Sequence, residues 1–521
     1  MTRLPLLAAA GLLALTSSLR SADLDLTIPL NSGVIEGFRE GPVRAFLGIP
    51  YAAPPVGDLR WKPPMPVEPW GGIRPATHFG ARPMQPILWQ DMVFRDPGCS
   101  EDCLTLNVWS PADPTAQKLP VMVWIYGGGY RAGGSSEQRQ DGSLLARRGV
   151  VVVSMNYRLG VFGFLALSDL ARESPHHAAG NYGLLDQLAA LRWVHDNIAA
   201  FGGDPGNVTI FGESAGAYSV SYLMASPLAH GLFQRAIGES GGRIYREPPP
   251  QRPLDQIENE DQAYLSAHLG GPHTLAQLRA IPAQSLLDSA GAGPGVSGFV
   301  PDVDGYFLPE LASTLFAEHR QNDVPLLAGW NRDESAVALP PVPPPIESLK
   351  RLGRQYFGSD LAEFLRYYPD ATPAQAARSG AEFENDQFIV FATWAWMEAQ
   401  HRTGTSPIFR YRFDQAPPAD FSGNTKRGAF HSSEIVYVFG QFAAIPQVPW
   451  TPEDRAVSEL MQSYWTNFAR FGDPNGAGLP LWPRYGPAGG WPVVHLDPAP
   501  AVRPDSHRAR YEFLARKWEP Q

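Results

Sequence analysis

Residues 212–216, Gly212-Glu213-Ser214-Ala215-Gly216, constrain this chain more than any other segment. They follow a short apolar run, VTIF at 208–211, and precede a helical pattern that continues through Tyr222 and Leu223. A chain that passes from strand to helix in so few residues must reverse sharply, and it holds its central residue in a strained conformation. Side chains at 212 or 216 would collide with neighbouring backbone, so glycine is demanded at both. Ser214 then projects its hydroxyl at a helix N-terminus, where the positive end of the helix dipole favours a developing negative charge. The pattern predicts a nucleophilic serine.

The surroundings of this turn predict an α/β fold. VMVWI at 121–125 and VVVVS at 150–154 are short, β-branched and apolar on both faces, as strands covered by helices on both sides are. Residues 143–148 between them have helical composition and end at Gly149. Over residues 181–201, Leu184, Leu185, Leu188, Leu191, Val194 and Ile198 recur at spacings of three and four, which predicts an amphipathic helix. Strand, helix, strand, helix in this order implies a mostly parallel, doubly wound central sheet. Residues 324–328 and 408–413 predict later strands, and 459–469 a C-terminal helix. The proline tract at 340–345 reads as a stiff surface excursion. Without a composition break, residues 23–521 are expected to form one catalytic domain with large loop and helical insertions.

A serine hydroxyl is a poor nucleophile until a base takes its proton, and in a fold of this kind acid and histidine follow the serine in the chain. Asp302, Asp304 and the pair Asp333-Glu334 are the candidate acids. His401, His431, His495 and His507 lie downstream of them. His431 sits in GAFHSSE at 428–434, a loop just before an apolar run, and ranks first; His495 ranks second. An oxyanion formed at Ser214 needs preorganised donors. Tyr126-Gly127-Gly128-Gly129 follows the strand at 121–125 and lets backbone N–H groups approach a substrate oxygen closely, with the N–H of Ala215 as a further donor.

Composition narrows the alternatives. There are 52 acidic and 42 basic residues, a net charge of −10, and no basic cluster of the kind that grips a phosphate backbone, so nucleic acid is not an expected partner. Arg3 followed by the apolar stretch 4–15 reads as a signal peptide over residues 1–22, too short to span a bilayer. It predicts a secreted or periplasmic protein without stable membrane insertion once the segment is removed. In an oxidising compartment the two cysteines, Cys99 and Cys103 of CSEDC, are expected to form a short disulfide loop. No cofactor and no metal are expected; the His176-His177 pair has no acidic cluster beside it. Trp394, Trp396 and Phe388 fit either a helix core or the wall of an acyl pocket.

Taken together, these residues resemble the type B carboxylesterase family, the α/β-hydrolases that include cholinesterases and many bacterial esterases. FLGIPYAAPPVGDLRW at 46–61 and EDCLTLNV at 101–108 look like its two N-terminal signatures. SMNYR at 154–158, NYGLLDQ at 181–187, FGGDP at 201–205 and FARFGDPN at 468–475 fit as well. The resemblance implies an α/β-hydrolase fold and a serine esterase that cleaves small-molecule carboxylic esters through an acyl-serine. It places Ser214 as nucleophile, Glu334 of RDES as triad acid, demoting Asp333, and His431 as base. It assigns the oxyanion hole to the N–H groups of Gly128, Gly129 and Ala215, with Tyr126 where many members carry histidine. The chain departs from the family pattern in having Ser432 after the histidine, Val436 in place of proline and Ser335 after the acid. It also lacks the upstream cysteine that normally pairs with the one matching Cys103, which favours the short Cys99–Cys103 bridge. Filled serine, acid and histidine positions disfavour a non-catalytic adhesion protein on the same scaffold. Substrate choice lies in the loops around 80–100, 290–300, 336–346 and 380–400; bacterial relatives act on feruloyl, mycotoxin or synthetic esters.

Overall fold

The computed structural model of the chain describes residues 26–112, 118–244, 252–291, 299–337, 345–423 and 427–518. The expected signal peptide and most of the proline tract lie outside them. The eleven strands of the central sheet are, in chain order, β1 (Phe38–Glu40), β2 (Val43–Pro50), β3 (Thr105–Pro111), β4 (Leu119–Ile125), β5 (Val151–Met155), β6 (Gly203–Glu213), β7 (Arg235–Glu239), β8 (Leu326–Asn331), β9 (Ile408–Phe413), β10 (Pro492–Leu496) and β11 (Ala501–Pro504). Their spatial order is β11-β10-β9-β8-β7-β6-β4-β5-β3-β2-β1.

Every neighbouring pair from β5 through β10 is parallel, and the strands beyond them at both edges are antiparallel. This is the expected doubly wound sheet. All of β5 and nearly all of β4 are buried, which is why their sequences are apolar on both faces rather than alternating. The antiparallel edge formed by β1, β2 and β3 did not follow from the βα pattern, because antiparallel strands need no crossover helix between them; β2 and β3 overlap the two signature motifs.

The helices pack on both faces of the sheet. The predicted helix at 181–201 is α1 (Tyr182–Asn197), continued by a tight 3-10 turn and stopped by Gly202 in the left-handed region at φ 89°. Its Leu184, Leu188, Leu191 and Val194 are fully buried against the sheet. Helix α2 (Ala215–Ala225) leaves the serine turn. Helix α3 is Pro373–Asn385; it passes through a single π-turn, Asp386–Val390, into α4 (Phe391–Thr403). Trp394 and Trp396 on α4 are core residues. Helix α5 (Pro452–Phe471) begins with Pro452 after a Thr451/Asp454 capping box and ends at Gly472.

The signature motifs meet in space as buried charge pairs. Arg60 of the first reaches Glu101 of the second with two bonds of 2.6 and 2.7 Å. Arg158 forks onto Asp186 at 2.8 and 2.7 Å. Breaking one partner of such a pair leaves an uncompensated buried charge, a loss of about 3–5 kcal/mol.

The Cys99–Cys103 bridge is not formed; both thiols are free. Cys99 is exposed on a short strand, Cys99–Ser100, with its thiol toward the carbonyl of Gln85 at 3.9 Å. Cys103 points into the core, where burial pushes its thiol well up. Pairing of Cys99–Ser100 with Arg82–Pro83 fixes the first cysteine away from the second.

At the C-terminal end of β7, Glu239 is fully buried and accepts the indole N–H of Trp465 on α5 at 2.7 Å. Burial raises its carboxyl to about 8, against the lowering effect of that hydrogen bond. An unfolded glutamate ionises near 4.5. Folding therefore takes up a proton between these values, and stability falls as pH rises from about 4.5 to about 8. Glu239→Gln keeps an acceptor for Trp465 and removes this component. Thermal unfolding between pH 5 and 8 should show a shallower decline for the variant; parallel curves would contradict the assignment.

Candidate active site

The serine turn is set by backbone crowding between β4 and β6. A Cβ on Gly216 would lie 1.9 Å from the carbonyl oxygen of Ile125, and one on Gly212 2.6 Å from the same oxygen. Ser214 takes φ 54° and ψ −121°, outside the regions that L-residues favour. Its N–H is held by the carbonyl of Glu239 at 2.9 Å. A Cβ on Gly241, in the turn after β7, would come 2.6 Å from the Ser214 carbonyl. Three strand ends thus lock the serine in place.

The structure brings the three residues singled out from the sequence together. Nε2 of His431 lies 3.0 Å from Ser214 Oγ, and Nδ1 lies 2.7 Å from Glu334 Oε2. Glu334 stands just beyond β8, and its other oxygen accepts the N–H of Asn331 at 2.7 Å. The His431 loop is tied to this segment. Asp333 N–H donates to Ala429 O at 2.9 Å, and Ala429 N–H returns to the Asp333 carboxylate at 2.8 Å. Asn331 donates to Phe430 O at 2.8 Å and to Glu434. Asp333 is therefore a support of the histidine loop rather than its acid.

The other candidates lie elsewhere. His495 is buried on β10 with Nδ1 2.6 Å from Asp414, a pair of its own. His401 packs on Tyr485 and Trp491. Burial lowers His507 to about 4. Asp304 accepts the N–H groups of Tyr306 and Leu308, and Asp302 is buried nearby.

The Gly-rich loop lies directly against the serine. A Cβ on Gly127 would be 2.9 Å from Ser214 Cβ. Gly128 and Gly129 both adopt positive φ, 106° and 62°. Carbonyl 128 accepts from the N–H groups of Arg131 and Ala132, which closes the loop into a turn. Gln85 clamps its far end through both Gly133 N–H and Gly133 O, at 2.8 and 2.6 Å. Among the described residues none accepts a hydrogen bond from the N–H of Gly128, Gly129 or Ala215. Tyr126 lies beneath, stacked on Tyr157 at 4.6 Å, and the Tyr157 hydroxyl donates to its carbonyl at 2.7 Å.

Two further acids stand near the His431 imidazole that the sequence did not single out. Glu213, inside the serine motif, places Oε1 3.3 Å from His431 Nε2. Glu434, three residues after the histidine, is fully buried and acts on the same imidazole through its charge. Burial holds Glu213 and Glu434 above the ordinary carboxylate range. The signal available was a pair of acids in otherwise apolar or small-residue segments. For His431, burial disfavours the imidazolium, but the carboxylates of Glu213, Glu334 and Glu434 outweigh it and raise the group to about 9.

The chain matches the carboxylesterase family over residues 24–514. The chain belongs to this family. It is a carboxylic-ester hydrolase with the α/β-hydrolase fold. It is 37% identical over 501 residues to a fumonisin B1 esterase of Sphingopyxis macrogoltabida, covering 91% of this chain and 87% of that protein. It is 38% identical over 499 residues to carboxylesterase 1E of Mus musculus, covering 87% and 85%. Among solved structures, a thermophilic PNB esterase superposes with a TM-score of 0.81 at 35% identity, covering 94% of this carboxylesterase and 100% of that chain.

The close approach at Gly216 gives a direct check on the turn. Gly216→Ala forces Ile125 and the elbow apart and should destabilise the carboxylesterase by about 3 kcal/mol or more, read as a lowered denaturation midpoint. A wild-type midpoint would contradict the packing described.

Proposed function

We propose that Ser214, His431 and Glu334 form the catalytic triad, with an oxyanion hole made by the N–H groups of Gly128, Gly129 and Ala215. The observation that carries this is the unbroken hydrogen-bonded chain from Ser214 Oγ through both imidazole nitrogens to Glu334. His431 takes the Ser214 proton as the oxygen attacks the ester carbonyl, and Glu334 fixes the tautomer and balances the imidazolium. The ester C–O bond breaks, the alcohol leaves with the proton from Nε2, and water activated by the same nitrogen releases the acid. Secretion or periplasmic export through the segment at 1–22 is part of the same proposal, supported by its charge and apolar pattern.

The substrate carries a sizeable apolar group. Support comes from exposed aromatic side chains at the site. Phe388, on the π-turn between α3 and α4, packs edge-on against His431 at 4.9 Å and is 46% exposed. Trp89 is 41% exposed and closes on Gly129, where an added Cβ would be 3.9 Å from its ring. Single π-turns of this kind are frequent at functional sites. An ester of the fumonisin B1 type, as the name of the Sphingopyxis relative suggests, fits such a rim.

Ser214→Ala should lower kcat on p-nitrophenyl butyrate by about 10⁴-fold or more with the fold intact. His431→Asn should do likewise, while His495→Asn should retain most activity; the reverse would reassign the base. Because His431 must be neutral to act, kcat/KM should rise with pH along a limb above the 6.5 of ordinary imidazole, toward about 9. A limb below 6.5 would contradict the carboxylate cluster. Phe388→Ala should raise KM for long-chain acyl esters about five- to tenfold, the loss of one good apolar contact, and change KM for acetate esters little.

A further inference from the structure

Ser432 occupies a position that glycine would suit. Its φ is 65°, in the left-handed region that non-glycine residues rarely adopt. A side chain kept there at a conformational cost invites an account of what it touches. Its hydroxyl donates to Glu213 Oε1 at 2.5 Å. That oxygen is the one 3.3 Å from His431 Nε2. Nε2 thus has two neighbours, Ser214 Oγ at 3.0 Å and Glu213 Oε1 at 3.3 Å.

The arrangement has a chemical consequence. Once Nε2 has taken the serine proton, its N–H can point to the departing alcohol oxygen or to the Glu213 carboxylate. Donation to the carboxylate would hold the proton off the reaction path, and the tetrahedral adduct would break its new C–Oγ bond and return to the ester rather than expel the alcohol. A hydroxyl already bound to Oε1 fixes that carboxylate and satisfies one of its lone pairs. We propose that Ser432 is a positioning residue, whose hydroxyl pins Glu213 beside His431 so that the carboxylate steadies the imidazolium without capturing the proton owed to the leaving group. This rests on the triad described above. It takes the histidine-following serine, a departure from the family pattern, as a working part of the proton path.

The charged and titratable groups facing this pair are few. Around His431 stand Glu213, Glu334 and Glu434. Around Glu213 stand His431, Glu334 and Arg139, with Tyr157, Tyr411, Glu239 and Glu434 also within its field. Arg139 is itself paired with Glu137 at 2.7 Å and with Asp91. The Ser432 hydrogen bond favours ionised Glu213, and ionised Glu213 favours protonated His431. Loss of the hydroxyl should therefore make Glu213 easier to protonate and His431 harder to protonate. The acid limb of kcat/KM should move to lower pH.

Ser432→Gly is the clean variant, since glycine accepts this φ and removes only the hydroxyl. Ser432→Ala removes the same hydroxyl and keeps the strain. Both should shift the acid limb down by about half a pH unit or more. Both should also lose more activity on ethyl esters, whose alkoxide must be protonated to leave, than on p-nitrophenyl esters of the same acid. In a Glu213→Gln background, Ser432→Gly should cause no further shift. The proposal is overturned if the limb stays in place in both Ser432 variants, if the two ester classes lose activity equally, or if the shift persists without the Glu213 carboxylate. Should Glu213→Gln not fold, agreement of the Gly and Ala variants in limb and in ester ratio decides the matter. The triad itself fails only if His431→Asn retains turnover; a dead His431→Asn beside an unmoved Ser432→Gly limb overturns the role of Ser432 alone.

Discussion

The contact on which this structure depends is the approach of the Ile125 carbonyl to the two glycines that flank Ser214. No side chain fits there: an added Cβ at 216 would stand 1.9 Å from that oxygen. Because β4 and β6 run side by side in register, the same proximity brings the Gly-rich loop leaving β4 onto the serine leaving β6. The proposed nucleophile and the proposed oxyanion donors are therefore adjacent by sheet topology. The proposed acid and base come from the end of β8 and from the loop before Ile435–Phe439, and two bonds between Asp333 and Ala429, one backbone to backbone and one to the Asp333 carboxylate, tie these segments together.

Behind this geometry lies a concentration of buried carboxyl groups. Glu213, Glu239, Glu334 and Glu434 are each 2% exposed or less. Burial works against so many negative charges and raises Glu213, Glu239 and Glu434, while His431 and the Ser432 hydroxyl favour the ionised form of Glu213. The site resolves the problem by giving each group a donor: Ser432 for Glu213, Trp465 for Glu239, Asn331 for Glu334 and Glu434. The imidazole stands among these carboxyl groups, which favour its positively charged form.

Much of this was legible in the sequence because steric demands leave plain marks. The serine turn, the covered strands and helix α1 each follow from spacing and residue type. Pattern alone left the acid open among Asp302, Asp304, Asp333 and Glu334, since a carboxylate at a strand end looks the same whether it faces a histidine or caps a turn; only the family resemblance selected Glu334. Asp304 is in fact such a cap. The cysteine bridge was misjudged because sequence proximity says nothing of side-chain direction, and here one thiol faces out while the other faces the core. Glu213 carries no local mark of a role, and Ser432 shows in the sequence only as a departure from the family pattern. Their meaning depends on a contact across 219 residues that no local pattern encodes.

The most direct test of the central claim is covalent. The protein treated with a fluorophosphonate ester should gain one phosphonyl group, seen by intact mass. Peptide mapping should place it on Ser214, and His431→Asn should slow its formation by orders of magnitude. An adduct on another residue, or labelling of undiminished rate without His431, would contradict the triad.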